Sequence, residues 1–288
     1  MTGVLLVAFG KRGYGHMTRN LVSSLRHYAP DLHIAIWATP ELLPIIGTDG
    51  IASTHTLTPD QWQRAGGGKV DPSTAKTQLY RLGVEAGLTR FLVLDVDAIC
   101  LADVRPWLDA LKGSQVATEI IAKGKKGERI NYLIWTSQDS LFDQFSIPLD
   151  RTVCAVQTSW LYFEQGEVMD TVQSHLDWHM VKRFPPHLLR HSWGSHATIP
   201  DELMYTGVFG KLGIIPTAPQ TDRQPIFFGN KQNRASEQQV TDGYYLLSLY
   251  GNSNLTVQRW QRLYDIQCQK LGLKVRAKEI MGDKFANG

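Results

Sequence analysis

Two carboxylates set two residues apart, in Asp95-Val96-Asp97, end the apolar run Phe91-Leu92-Val93-Leu94. Side chains at i and i+2 of an extended segment point to the same side, so this spacing lets both carboxylates share one hard divalent cation. Oxygen donors of this kind suit Mg²⁺ or Mn²⁺, ions that usually keep positions open for phosphate oxygens. The competing reading is an Asp pair that only ends a strand and caps the next helix; it leaves carboxylates at a buried strand end without a partner, which is costly. A second acidic pair, Asp201-Glu202, follows Pro200 at the start of a predicted helix. A carboxylate there can act as general base on a hydroxyl, or can simply complement the positive end of the helix. Lys11 and Arg12 lie in the glycine-rich stretch Gly10-Lys11-Arg12-Gly13-Tyr14-Gly15. With nearby backbone amides they can meet a phosphate; otherwise they form a solvated turn.

The sequence also carries the signs of a scaffold for these groups. Val4 to Phe9 is a continuous apolar run, the pattern of a strand buried on both faces. After a glycine-rich loop from Gly10 to Met17, Thr18 can cap a helix to Tyr28 with Leu21, Val22 and Leu25 on one face. His33 to Trp37 and Ile51 to Leu57 read as further strands, and strand, helix, strand with short links opens a parallel α/β sheet. A helix from Ser73 to Gly87 precedes the Phe91 strand, and another covers Asp103 to Leu111 with Pro106 in its first turn. Gln115–Ile121, Val153–Val156 and Ser159–Phe163 read as strands, and Glu164–Met180, Asp201–Phe209 and Thr256–Leu271 as helices. The rest, from Pro216, is polar and reads as loops.

Composition narrows the class. Hydrophobic residues make up 43% and charged residues 20%, which excludes a disordered chain, a collagen and a coiled coil. No apolar run approaches the ~18–20 residues of a membrane span. Cys100, Cys154 and Cys268 are far apart and odd in number, which argues against a disulfide framework or a Cys-based zinc site and for a reducing, cytoplasmic setting. A net charge of +3 permits an anionic partner such as a nucleotide or DNA without requiring one.

The ordered set of these features resembles the metal-dependent GT-A glycosyltransferases. The parts are the first strand with its loop Phe9 to Tyr14, a helix carrying Lys76 and Tyr80, the Asp-x-Asp strand, the apolar stretch Gln157 to Phe163, and Pro200-Asp201-Glu202-Leu203. The resemblance covers residues 1–212. It implies a Rossmann-type, mostly parallel sheet flanked by helices, with an irregular C-terminal acceptor region. It implies one domain over 1–288, with a nucleotide-sugar-binding half in 1–125 and an acceptor-binding half in 126–288. Asp95 and Asp97 would hold Mn²⁺ or Mg²⁺ against the diphosphate of a UDP-linked sugar, with Phe9, Lys11, Arg12, Tyr14, Lys76 and Tyr80 around the donor. Asp201 or Glu202 would act on the acceptor hydroxyl or hold the donor sugar. Many relatives add a metal-ligating His in a C-terminal His-x-x-Gly motif. No His follows His196 here, and Tyr250-Gly251-Asn252 or Phe228-Gly229-Asn230 is expected in its place, with Asn252 as the metal ligand.

A small, mildly basic chain of this kind is also similar in outline to bacteriophage enzymes that glycosylate modified pyrimidines in DNA. That likeness implies a hydroxymethylated base, extruded from the stack, as acceptor, and the host cytoplasm as location; a glycan, lipid or protein acceptor is the alternative. Lys123 to Arg129, Lys231 with Arg234, and the rings of Tyr132, Trp160, Tyr162 and Trp193 would meet an anionic or aromatic acceptor, or else are solvated loops and core.

Other classes leave weaker marks. A haloacid-dehalogenase-type phosphatase also uses Asp-x-Asp, with the first Asp as nucleophile, but places it at the start of the chain. A metal-independent GT-B glycosyltransferase would explain Val4 to His16 and the faint site His191-Ser192-Trp193-Gly194, yet 288 residues leave little room for its two domains. A nucleotide- or DNA-binding protein without catalysis is the non-enzymatic alternative. Gly13-Tyr14-Gly15 lacks the third glycine of a dinucleotide fingerprint, and Gly66-Gly67-Gly68-Lys69 lacks the Ser/Thr of a phosphate loop. His175 and His179, four apart on a predicted helix, have zinc-ligand spacing without the Glu of a metalloprotease.

Overall fold

The computed structural model describes residues 1–58, 76–128, 136–181, 201–229, 234–249 and 258–273. Along the chain run β1 (Thr2–Ala8), α1 (Arg12–Tyr28), β2 (His33–Ala38), α2 (Leu43–Ile46), β3 (Ser53–Thr56), α3 (Leu79–Glu85), β4 (Arg90–Leu94) and β5 (Ala98–Cys100). They are followed by α4 (Arg105–Ala110), β6 (Val116–Gly124), α5 (Gln138–Phe145), β7 (Val153–Glu164), α6 (Glu167–Val181) and α7 (Asp201–Leu212). The last elements are β8 (Gln224–Phe228), α8 (Glu237–Gly243), β9 (Tyr244–Ser248) and α9 (Gln258–Lys270). Two compact units form: Met1–Leu57 with Ala86–Lys112 and Pro219–Gly288, and Thr58–Glu85 with Gly113–Ala218.

In the first unit, β3, β2, β1 and β4 lie side by side in that order and all parallel. Leu6 of β1 pairs with Ile36 of β2 on one side and Leu94 of β4 on the other. Val4, Leu5, Leu6, Ile34, Ala35, Ile36, Phe91 and Leu92 are all fully buried, which is why these strands are unbroken apolar runs. The expected α/β class, with a mainly parallel sheet and flanking helices, is what the chain adopts.

Helix α1 starts at Arg12, six residues before the expected Thr18 cap. The glycine-rich stretch is therefore mostly helix. Gly10 (φ 88°) makes the turn out of β1, and Gly15 lies inside the helix, where a Cβ would come within 3.0 Å of Ile45. The glycine there permits close packing on α2 rather than loop flexibility. Thr18 is an interior residue whose hydroxyl turns back to the Tyr14 carbonyl at 2.7 Å.

The C-terminal third, expected as polar loops before a last helix, supplies that helix as α9 and, in place of the loops, β8, α8 and β9. Strands β5, β9 and β8 form a second small sheet, antiparallel between β5 and β9 and parallel between β9 and β8. One face of α9 presents Trp260, Leu263, Tyr264 and Cys268, which join Met17, Ile99, Phe227 and Leu247 in one buried cluster. The amide of Asn20 on α1 donates to Tyr264 Oη at 3.0 Å and to Cys268 Sγ at 3.6 Å. Helix α8 carries a capping box between Ser236 and Gln239.

In the second unit, the two expected strands 153–156 and 159–163 are a single twelve-residue strand, β7, antiparallel to β6. The polar interruption Gln157-Thr158-Ser159 marks a register shift opposite Thr118/Glu119 rather than a turn, and a second shift lies opposite Ile120/Ala122, where β7 runs through Val156 and Ala155. The Thr118 hydroxyl lies 2.6 Å from the Gln157 carbonyl and 3.0 Å from that of Trp160, which satisfies groups the irregular ladder leaves over. Helix α7 packs on β7 and on α5, with Gly207 against the Phe145 ring. No helix among the described residues is long and apolar enough to cross a membrane.

A Cβ at Gly207 would collide with the Phe145 ring itself. Gly207→Ala should therefore destabilise the chain by about 2 kcal/mol, the usual cost of overpacking, and lower the thermal midpoint by several degrees in a circular-dichroism melt.

Candidate functional site

The carboxylate pair lies at the C-terminal end of β4, the edge where parallel α/β sheets place their ligands. Asp95 is the first residue past the strand, and Val96 and Asp97 form a turn into β5. The extended i, i+2 argument therefore does not describe this segment. The turn is instead held by the second sheet: the Asp97 carbonyl accepts from Leu249 N–H at 2.9 Å, and the Ser248 hydroxyl donates to Asp97 Oδ1 at 3.3 Å. Both Asp side chains are half-buried.

Because Leu6 pairs with Leu94, β1 and β4 end side by side, and Phe9 to Arg12 leaves the sheet at the same edge as Asp95. Phe9 is half-buried, Lys11 stands at the N-cap of α1 in an extended conformation, and Arg12 is exposed. Tyr14 packs against the Met17–Trp260 cluster. Asn230 and Asn252 lie outside the described residues, as do Tyr132, His187, Trp193 and Lys231.

The donor chemistry fits a hard divalent cation. Among the described residues no three His, Cys, Asp or Glu side chains gather as a metal cluster, so the pair supplies two carboxylates. That number suits Mg²⁺, which is usually held by one or two carboxylates together with substrate phosphates.

The second unit brings two other candidates together. Asp201 opens α7 and is only 8% exposed. Its carboxylate accepts a hydrogen bond from the Thr158 hydroxyl on β7 and lies 3.6 Å from the Lys76 ammonium. One turn further along α7, Tyr205 donates to the Lys76 backbone carbonyl at 2.9 Å. Burial pushes the Tyr205 phenol well up; the Asp201 charge adds to that and Lys76 opposes it. Thr206 accepts from Val156 N–H at 3.2 Å, which fixes this end of α7 to β7. A buried carboxylate is thus satisfied by a cation and a hydroxyl, the condition that makes its burial tolerable. Glu202 is half-buried beside it.

Other candidates sit elsewhere in the second unit. Tyr80 is buried edge-on against Phe163 and donates to Asp170 Oδ1 at 2.7 Å. In the basic turn, Glu128 folds back to accept from Lys125 N–H, and Lys126 lies 3.8 Å from Asp143, so part of its charge is met internally. His179 is buried against Phe145, and burial together with Lys211 lowers the half-buried His175 below the usual imidazole range. Thr158, Tyr205 and Ser248 were not singled out from the sequence. The signal for two of them was a polar residue inside an apolar strand, Thr158 in Val156–Phe163 and Ser248 in Tyr244–Leu249.

No family model matches the chain, and no curated protein is similar to it in sequence. Among solved structures, an active-site mutant of LgtC has a TM-score of 0.55 at 12% identity over 97% of this chain and 99% of its own. The galactosyltransferase LgtC in complex with donor and acceptor sugar analogues gives 0.53 at 12% identity, with the same coverage. The bifunctional glycosyltransferase WbbM gives 0.52 at 12% identity, over 87% of this chain and 46% of its own. The fold is that of the GT-A glycosyltransferases. The likeness to LgtC runs nearly end to end, C-terminal elements included.

Burial, and then the bond to Asp170, pushes the Tyr80 phenol up to about 12. Its folded value lies above the ordinary 10, so its contribution to stability is intact below pH 10 and is lost as the pH rises through 12. Alkaline unfolding followed by tyrosinate absorbance should show stability falling across that window, and falling less steeply in Tyr80→Phe.

Proposed function

We propose that this chain is a metal-dependent glycosyltransferase that moves a sugar from a nucleotide-sugar, UDP-linked, to an acceptor hydroxyl. The observation that carries this reading is the position of Asp95 and Asp97, directly after β4 at the ligand-binding edge of a GT-A fold. These two carboxylates hold Mn²⁺ or Mg²⁺. When bound, such a cation offsets, as a Lewis acid, the charge that builds on the departing nucleoside diphosphate. Lys11, Arg12 and the first amides of α1 add positive potential beside the diphosphate. Phe9 and Tyr14 flank the nucleotide base.

Asp201 is tied to Thr158 and Lys76 and so presents a charge in a fixed place. That arrangement supports a role for Asp201 in orienting sugar hydroxyls, with Lys76 as its counter-ion; in this reading Glu202 works on the acceptor hydroxyl. Tyr80, through Asp170, braces the helix that follows Lys76. The nucleotide-sugar is assigned to residues 1–125 and the acceptor to 126–288, with Asn252 as a further metal ligand. The LgtC complex with an acceptor sugar analogue favours a carbohydrate hydroxyl as acceptor. DNA carrying hydroxymethylated pyrimidine is the second acceptor to be tested, in a cytoplasmic setting.

The test pairs thermal shift with release of the nucleoside diphosphate, for a panel of nucleotide-sugars with and without Mn²⁺. Stabilisation should need nucleotide and metal together. Chelation with EDTA should abolish turnover, and added Mn²⁺ or Mg²⁺ should restore it. Asp97→Ala should lose turnover by about 10³-fold or more with its melting temperature nearly unchanged. Undiminished metal-dependent transfer by Asp97→Ala would sink the assignment.

A further inference from the structure

Ser248 is the last residue of β9 and is 2% exposed. A serine at a buried strand position would ordinarily be replaced by an apolar residue unless its hydroxyl has work to do. Its backbone is fixed from both sides: it pairs with Ala98 on β5 and with Phe228 on β8, and its carbonyl accepts from Gly229 N–H at 3.0 Å. A Cβ at Gly229 would press to 2.9 Å from Trp260 on α9, so the glycine lets β8 end close beneath that helix. The Ser248 hydroxyl reaches Asp97 Oδ1 at 3.3 Å, while the next residue, Leu249, holds the Asp97 carbonyl.

A hydroxyl has one proton to give and two lone pairs. With the proton directed to Asp97, the oxygen keeps acceptor capacity for a cation. An octahedral cation with bonds of about 2.0–2.1 Å sets neighbouring ligand oxygens about 3 Å apart, close to the separation of Ser248 Oγ and Asp97 Oδ1.

Resting on the metal-dependent reading above, we propose that Ser248 belongs to the cation site. Its hydroxyl orients Asp97, and its oxygen joins Asp95 and Asp97 in a donor set made of oxygen alone. A neutral oxygen in that place, rather than an imidazole nitrogen, directs the site toward hard cations such as Mg²⁺ and Mn²⁺ and away from Zn²⁺ and Co²⁺.

The measurement is equilibrium binding of Mn²⁺ to the full chain in the presence of UDP, read from the loss of the free-ion signal in electron paramagnetic resonance. Mg²⁺ and Co²⁺ are followed by calorimetry. Ser248→Ala should weaken Mn²⁺ by about tenfold, the usual scale for a supporting group, and Ser248→Thr should restore it. Ser248→His should raise affinity for Co²⁺ by more than tenfold relative to Mg²⁺. Wild-type Mn²⁺ affinity in a folded Ser248→Ala, or an unchanged Co²⁺ to Mg²⁺ ratio in Ser248→His, would overturn the role given to Ser248. Asp97→Ala separates this from the parent reading: if it binds Mn²⁺ as well as the wild type does, the carboxylate site itself is wrong.

Discussion

The turn after β4 must hold two carboxylates still at the edge of a parallel sheet, and β4 alone cannot do that. Its neighbour on one side, β1, ends in a turn of its own. What fixes the Asp95–Asp97 segment is the bond from Leu249 N–H to the Asp97 carbonyl, beside the Ser248 hydroxyl that reaches Asp97 from 151 positions away. The second small sheet delivers that bond. β5 continues directly from the turn, β9 pairs with it, β8 backs β9, and α9 closes the far side with Trp260 against Phe227 at 4.6 Å. The Asn20 amide then ties α9 to α1, the helix whose N-cap is Lys11. A chain of ordinary packing contacts thus runs from the last helix to the two loops at the ligand edge, all inside one unit.

Asp201 obeys a different constraint. A carboxylate buried to this degree needs partners, and the fold provides them from three places: Thr158 on β7, Lys76 ahead of α3, and α7 itself, whose N-terminus favours a negative charge. Tyr205 and Thr206 secure the same helix end to Lys76 and β7 through backbone groups. The ion pair is better understood as a means of holding a charge in one place than as a source of stability, since desolvation offsets much of its attraction.

Much of this was legible in the residues. Val4–Phe9 and Phe91–Leu94 read as buried strands because a strand covered on both faces has no polar alternation to confuse it. Asp-x-Asp stood out because carboxylates at the end of such a run need a reason. The start of α1 was misplaced because Gly13 and Gly15 look like loop residues, and only the close approach of Ile45 shows why the helix carries a glycine at 15. The small second sheet was missed because β5 is three residues long and β8 and β9 five each, too short to show a period. Strand β7 was split in two because Gln157-Thr158-Ser159 looks like a break, whereas the strand passes through it with a shift of register. Ser248 and Thr158 show the general reason for such misses: a hydroxyl within a strand reveals its partner only after a distant segment has folded against it.

The three cysteines have a use that their chemistry alone does not suggest. Each is buried and reduced, Cys100 in β5, Cys154 in β7 and Cys268 on the inner face of α9. The Cys100 thiol is pushed up to about 12 by burial and donates to the Ala102 carbonyl at 2.8 Å, so it is both hidden and unreactive while its surroundings stay closed. Cys100 and Cys268 belong to one unit and Cys154 to the other. The native chain therefore carries its own set of chemical clocks. The rate at which an alkylating reagent reaches each thiol times the opening of the segment above it, and the three rates compare the breathing of the two units without a single introduced label.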